Sequence, residues 1–142
     1  MKHSMTDQEV EDLIRHAYTV NMVEDKLSLV TWAWSDKLGR RMGCCCCSVG
    51  DKNDLHIMLS SVLFPRASDY ERRNTVIHEA CHATENIRVG IKKHAENNHG
   101  FDWETMVLRT GYEPFQYHTV DIEGVEETAH PLTMPDNRVY LK

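Results

Sequence analysis

No stretch of this sequence is apolar for long enough to cross a bilayer, which takes about 20 consecutive residues. The opening Met1–Asp7 has no apolar segment behind Lys2, so no secretory leader is expected. With neither feature, the expected compartment is the cytoplasm, where thiols stay reduced. Positive charge is also scarce: 16 Lys and Arg stand against 22 Asp and Glu, a formal net charge of −6. Such a chain gains little from long-range attraction to phosphate backbones or anionic membrane surfaces. No membrane partner is expected, and charge gives no support to DNA binding. Internal repeats and low-complexity linkers are missing. Spaced C-x-x-C knuckles are missing too, because four of the five cysteines are consecutive, Cys44 to Cys47. Successive strand side chains point to opposite faces, so this run makes a poor tetrahedral cage. These cysteines read as small buried strand residues.

What is present fits one ordinary globular domain, residues 1–142, with its core at about 6–111. Hydrophobic residues make up 41% and charged residues 27%, enough apolar material for one modest core. Thr6-Asp7-Gln8-Glu9 is a capping box. Val10, Leu13, Ile14 and Ala17 follow at helical spacing, so a helix runs to about Asn21. Leu29 to Trp34 is β-branched and aromatic and reads as a strand. Gly43 to Val49 is a second strand, Gly50 to Asp54 a loop, and Leu55 to Leu59 a third strand closing a hairpin. A second capping box, Ser68-Asp69-Tyr70-Glu71, opens a helix that Gly90 is placed to stop. Phe101 to Thr110 carries Trp103, Met106 and Val107 at helical spacing before Gly111. The acidic tail 112–142 is interrupted by Pro114, Pro131 and Pro135. It is expected to be mostly irregular, with a short strand at Arg138 to Leu141. One helix, three strands and two helices in that order predict an α+β fold.

The chemistry concentrates in His78-Glu79-Ala80-Cys81-His82, an H-E-x-x-H pattern inside the second predicted helix. Residues four apart on a helix share a face, so both imidazoles can reach one ion at about 2.0–2.1 Å. Zinc lowers the pKa of water toward ~7, and Glu79 beside the first ligand is the expected general base. The apolar Thr75-Val76-Ile77 before the motif predicts a buried, preorganised helix. A catalytic zinc site needs a third protein ligand and keeps its fourth place open. Position 88 is Arg, so no His stands six residues beyond the second one. His94, His99 and downstream carboxylates all remain open as the third ligand on spacing alone.

Several segments in order resemble the SprT-like zinc metallopeptidase domain, the group of the bacterial SprT proteins and the Spartan DNA–protein crosslink proteases. They are Val30-Thr31-Trp32-Ala33-Trp34-Ser35, the Gly43 strand, Ile57-Met58-Leu59-Ser60 with Leu63, the zinc motif, and His99-Gly100-Phe101-Asp102-Trp103. The resemblance covers about Tyr18 to Gly111. It implies a minimal zincin-like fold, a small antiparallel sheet packed on the H-E-x-x-H helix. It implies one Zn2+ per chain, with His99 as the third ligand. It also implies a metalloprotease acting on a protein substrate, with DNA-bound or crosslinked proteins as a substrate class. No Cys follows Cys81, so the second zinc of ribbon-bearing relatives is not expected. The residues around His99 favour it as well: Gly100, Phe101 and Trp103 can anchor it, whereas His94 precedes the polar Ala95-Glu96-Asn97-Asn98. The competing function is a metal-binding, DNA-associated adaptor or interaction protein without turnover. Glu79 argues against it, since a pure binding module has no use for a general base.

Other residues carry a structural expectation first. Trp32 and Trp34 share a strand face and read as packing residues. Tyr112, Tyr117 and His118 are alternatives for an oxyanion donor, with packing as the default. Lys37, Arg40 and Arg41 read as a solvated basic turn, with a local nucleic-acid contact as the alternative.

Overall fold

The computed structural model describes residues 5–90, 99–127 and 138–141. Both capping boxes form. Thr6 Oγ1 accepts the Glu9 N–H at 3.1 Å while Glu9 Oε1 accepts the Thr6 N–H at 2.9 Å, opening helix α1 (Asp7–Val20). Ser68 Oγ accepts the Glu71 N–H at 3.1 Å and opens helix α2 (Asp69–Val89). Each box satisfies backbone donors that a helix start otherwise leaves without partners. Gly90 ends α2 at φ +86°, a conformation that costs glycine little. Helix α3 (Phe101–Arg109) follows.

The strands are β1 (Val30–Ser35), β2 (Gly43–Ser48), β3 (Asp51–Ser60) and β4 (Arg138–Leu141). They form one sheet in the order β1-β3-β2-β4. The α+β class and the zincin-like packing of a sheet on the zinc-motif helix agree with the sequence reading. The sheet, however, is mixed rather than purely antiparallel. β3 pairs antiparallel with β2, and β2 with β4, but β1 runs parallel to β3, with Val30 opposite Leu55 and Ser35 opposite Ser60. The cause is the connection 36–42, which passes over the end of β3 to reach β2. Ser60 N–H donates to the Met42 carbonyl at 2.8 Å and Ser61 N–H to Ser35 at 2.9 Å, fixing that crossing.

The hairpin is also tighter than expected. Ser48 already pairs with Asp51, so Asp51 to Asp54 continue β3 instead of forming a loop. The chain turns at 49–50, and the register shifts between Cys47 and Ser48, so that 52–54 bulge from the ladder between Asp51 and Leu55. β4 forms where the sequence placed a short strand.

α2 packs on β2 and β3, with α1 and α3 alongside. The core draws Val10 and Ile14 from α1, Ile57 and Leu59 from β3, and Ile77 and Ala80 from α2. The cysteine run divides between faces, as strand alternation requires. Cys45 and Cys47 enter this core, while Cys44 packs with Leu38 and Met58 on the other face. All four thiols are buried and free. Burial pushes the Cys46 thiol up to about 11 and raises the others, which suits apolar packing rather than reactivity. Trp32 and Trp34 meet edge to face at 5.6 Å, and Trp34 packs on Phe64 at 5.1 Å, so both are packing residues. Among the described residues, no helix is long and apolar enough to cross a membrane.

Candidate metal centre

α2 is buried over most of its circumference, which lets it carry polar chemistry into the interior. His78 and His82 stand one turn apart on it, and their Nε2 atoms approach to 3.1 Å. His99 reaches them from a different segment, just before Gly100, the N-cap of α3. Its Nε2 lies 3.1 Å from that of His82 and 3.3 Å from that of His78. Three ring nitrogens thus converge on one point. A tetrahedral zinc ion with Zn–N of about 2.0–2.1 Å needs edges of about 3.3–3.4 Å between ligand nitrogens, so the triangle fits. Among the described residues this is the only group of three His, Cys, Asp or Glu side chains close enough to hold an ion. That matches one zinc per chain. His94 lies outside the described residues.

The tautomer of the first ligand supports the same conclusion. Nδ1 of His78 is 3.1 Å from the carbonyl oxygen of Phe115. A carbonyl only accepts, so Nδ1 carries the proton and the neutral ring presents a bare Nε2 lone pair to the centre. Burial, with His99 beside it, pushes the His78 imidazole down to about 4, while the Phe115 carbonyl opposes that shift. The ring is therefore neutral at neutral pH, the state a metal ligand requires.

Glu79 is 6% exposed, and its Oε2 lies 4.0 Å from Nε2 of His78. Burial pushes its carboxyl up to about 8. A cation held by the three imidazoles would oppose that shift, because nearby positive charge favours the carboxylate. The room for Glu79 comes from Gly43. A Cβ at that position would stand 3.1 Å from Glu79 Cγ and from the Met58 carbonyl oxygen, and 3.3 Å from Thr75 Cγ2. Glycine here lets α2 lie close on the sheet, with the carboxylate beside the histidines.

The centre opens into a cleft of about 750 Å³ whose apolar lining includes Met42, Phe115, Ile122 and Leu141. One wall is a strap from the tail, a segment from which the sequence offered only Tyr112, Tyr117 and His118 as alternatives for an oxyanion donor. Asn74 Nδ2 donates to the Glu113 carbonyl at 2.9 Å, and Thr119 Oγ1 donates to Glu71 at 2.8 Å. Arg66 donates to the carbonyls of Asp121 and Glu123 at 3.1 and 2.8 Å. No side-chain pattern could have revealed the Phe115 contact, since only its backbone oxygen takes part.

The alternatives for an oxyanion donor divide. His118 Nε2 donates to the Arg40 carbonyl at 2.7 Å and its Nδ1 accepts the Val120 N–H at 3.1 Å, so both ring nitrogens serve the strap. Tyr112 stacks on Tyr70 at 5.8 Å. Tyr117 lines the cleft and is largely exposed, and its hydroxyl accepts from Gln116 at 3.1 Å. Arg40 donates through Nε to the Val125 carbonyl at 3.0 Å, and Arg41 lies over the Tyr140 ring at 5.6 Å, both on the cleft wall. Lys37 is exposed at the surface.

No curated protein and no solved structure matches the chain significantly. The model of the SprT-like family matches residues 10–123, a span that takes in most of α1, three strands of the sheet, the zinc motif, His99 and the strap, and the chain belongs to that family.

Proposed function

We propose that this chain is a zinc-dependent endopeptidase in which His78, His82 and His99 hold one zinc ion and Glu79 is the general base. The observation that carries the reading is the convergence of three Nε2 atoms within 3.3 Å of one another, with a buried carboxylate 4.0 Å from one of them, on the wall of an open cleft. Zinc bound there supplies a water made acidic enough to ionise near neutral pH and an electrophile for the substrate carbonyl. The chain's own groups do the rest. Glu79 accepts the proton from the attacking water and returns it to the departing amide nitrogen. The Phe115 carbonyl holds His78 in the tautomer that binds metal. The cleft holds a stretch of polypeptide against the sheet and strap, and its apolar lining excludes water from that stretch.

The substrate class is protein. The finer class, a DNA-bound or crosslinked protein, rests on the resemblance to the Spartan proteases. The formal net charge of −6 gives no long-range pull on phosphate, so in this reading the cleft recognises the polypeptide and not the nucleic acid.

The test is cleavage of one protein, free and bound to DNA, with and without single-stranded DNA, by wild type and Glu79→Gln. Zinc-dependent cleavage by wild type alone supports the protease. Equal cleavage of free and bound protein removes the DNA-linked class. No cleavage in any arm by zinc-loaded wild type overturns the protease.

A further inference from the structure

We propose that Trp103 is the positioning residue that holds the three imidazoles as one unit and so sets the zinc affinity of the chain. The inference rests on the zinc reading above. Trp103 lies on the first turn of α3, four residues beyond His99, and is 1% exposed. Its ring centroid is 4.8 Å from that of His78, 5.6 Å from that of His82 and 4.9 Å from that of His99. It stacks on His82, with 22° between planes, and meets His78 and His99 edge-on at 65° and 87°. The indole Nε1–H also donates to the backbone carbonyl of His78 at 3.3 Å. That oxygen has two lone pairs, so it can take the indole as well as its bond within α2.

One side chain therefore touches every proposed ligand and ties α3 to the turn of α2 that carries the first of them. Each imidazole has two rotatable side-chain bonds, and bringing three rings to one point freezes all of them. When binding must do that freezing, its entropic cost is taken out of the zinc affinity. A flat aromatic surface that confines the rings beforehand moves this cost from zinc binding to folding. The stacked and edge-on contacts are the preferred geometries of aromatic pairs, so they define ring orientation as well as filling space. The Phe115 carbonyl orients His78 alone, whereas Trp103 is the contact common to all three.

A purely structural Trp103 and a positioning Trp103 differ in one measurable way. The first changes the stability of the metal-free chain and leaves the zinc affinity of the folded chain unchanged. The second weakens zinc in chains that remain folded. The experiment uses the full chain, stripped of metal and titrated with zinc against a chromophoric chelator, as wild type, Trp103→Phe and Trp103→Ala. Circular dichroism in excess chelator sets a temperature at which each is folded.

The zinc Kd should rise about tenfold for Phe and about 100-fold for Ala, the range seen when residues that orient metal ligands are replaced. Zinc should also change the indole emission of wild type. That change should vanish in Trp103→Phe, which still carries Trp32 and Trp34. If the Ala variant does not fold, the Phe variant decides alone. A folded Trp103→Phe with a zinc Kd within twofold of wild type overturns the proposal and leaves the zinc site standing. A wild type that binds no zinc overturns both.

Discussion

Nδ1 of His78 lies 3.1 Å from the carbonyl oxygen of Phe115, so the strap that follows α3 orients the first histidine of the zinc motif. The metal centre is thus built from three separated pieces of chain: α2, the entrance to α3, and a segment with no regular secondary structure. The strap keeps its place through hydrogen bonds, with Asn74 and Arg66 reaching its backbone and Glu71 accepting from Thr119.

Loosening the strap should therefore weaken zinc without touching a ligand. Asn74→Ala removes the donor to the Glu113 carbonyl, two residues before Phe115. A hydrogen bond of this kind contributes about 1 kcal/mol. Zinc affinity measured by chelator competition should fall a few-fold, with the thermal midpoint of the metal-free chain lowered by only a few degrees. Unchanged affinity would show that the Phe115 carbonyl stays in place without Asn74.

Glu79→Gln should separate binding from turnover. Burial pushes the Glu79 carboxyl up to about 8, so the metal-free chain at pH 7 holds mainly its neutral form. Gln copies that form in shape and charge, and the fold should tolerate it. It cannot accept a proton from water, and positioned acid–base groups contribute about 10²–10⁴-fold in rate. Zinc content should stay near one per chain while peptide-bond cleavage falls by at least about 100-fold. Wild-type cleavage by the variant would remove Glu79 as the base.

Gly43→Ala should do the reverse of a ligand mutation. Its new Cβ meets Glu79 Cγ at 3.1 Å and the Met58 carbonyl oxygen at 3.1 Å. The backbone oxygen has little freedom, so the carboxylate and the α2 contact must give way. Overpacking of this kind costs about 1–3 kcal/mol. Cleavage should drop far more than zinc affinity, because the side chains nearest the new Cβ are those of Glu79 and Thr75, not the imidazoles. An equal fall in both would place the damage on α2 as a whole.

How legible all this is from sequence depends on what carries the information. Side-chain chemistry at fixed spacing is legible: the Ser68–Glu71 box and the four-residue step from His78 to His82 place the motif on a helix from the sequence alone. His99 is legible through its Gly100 and Trp103 neighbours and through the family resemblance. Backbone chemistry is not. The Phe115 oxygen has no residue signature, and Pro114 beside it suggests only irregular chain. Strand direction is hidden for a similar reason. β1 runs parallel to β3 because 36–42 crosses a strand end, which no local pattern in Val30 to Ser35 encodes. Asp51 to Asp54 look like a loop because they are polar, yet β3 starts at Asp51, which pairs with Ser48, and only 52–54 bulge out of register with β2.

The cysteine run should matter for stability alone. Cys45 and Cys47 lie in the main core and Cys44 on the opposite face, and all are free. Replacing any one with Ala removes about one methylene's worth of buried volume, about 1 kcal/mol. The urea midpoint should shift, and zinc per chain should not. Loss of a full equivalent of zinc with the fold intact by circular dichroism would make them ligands.

The sharpest test of the centre compares His99→Ala with His94→Ala. Spacing leaves both histidines open, since each follows the end of α2 at Val89. The structure brings His99 Nε2 to 3.1 and 3.3 Å from the two motif nitrogens. Removing it leaves two imidazoles on one helix turn and an ion open on a whole side. Two nitrogen ligands are short of the three that a catalytic zinc site requires. Zinc affinity in His99→Ala should fall by at least about 100-fold, beyond the usual effect of losing an orienting residue, because a ligand itself is gone. Cleavage should disappear with it. His94→Ala should keep affinity and cleavage within about twofold, since the three converging ligands all remain. The comparison also controls for stability, which circular dichroism on both metal-free variants reports. If His94→Ala loses zinc and His99→Ala keeps it, the assignment is reversed. If both keep it, the ion is held by groups other than the converging histidines.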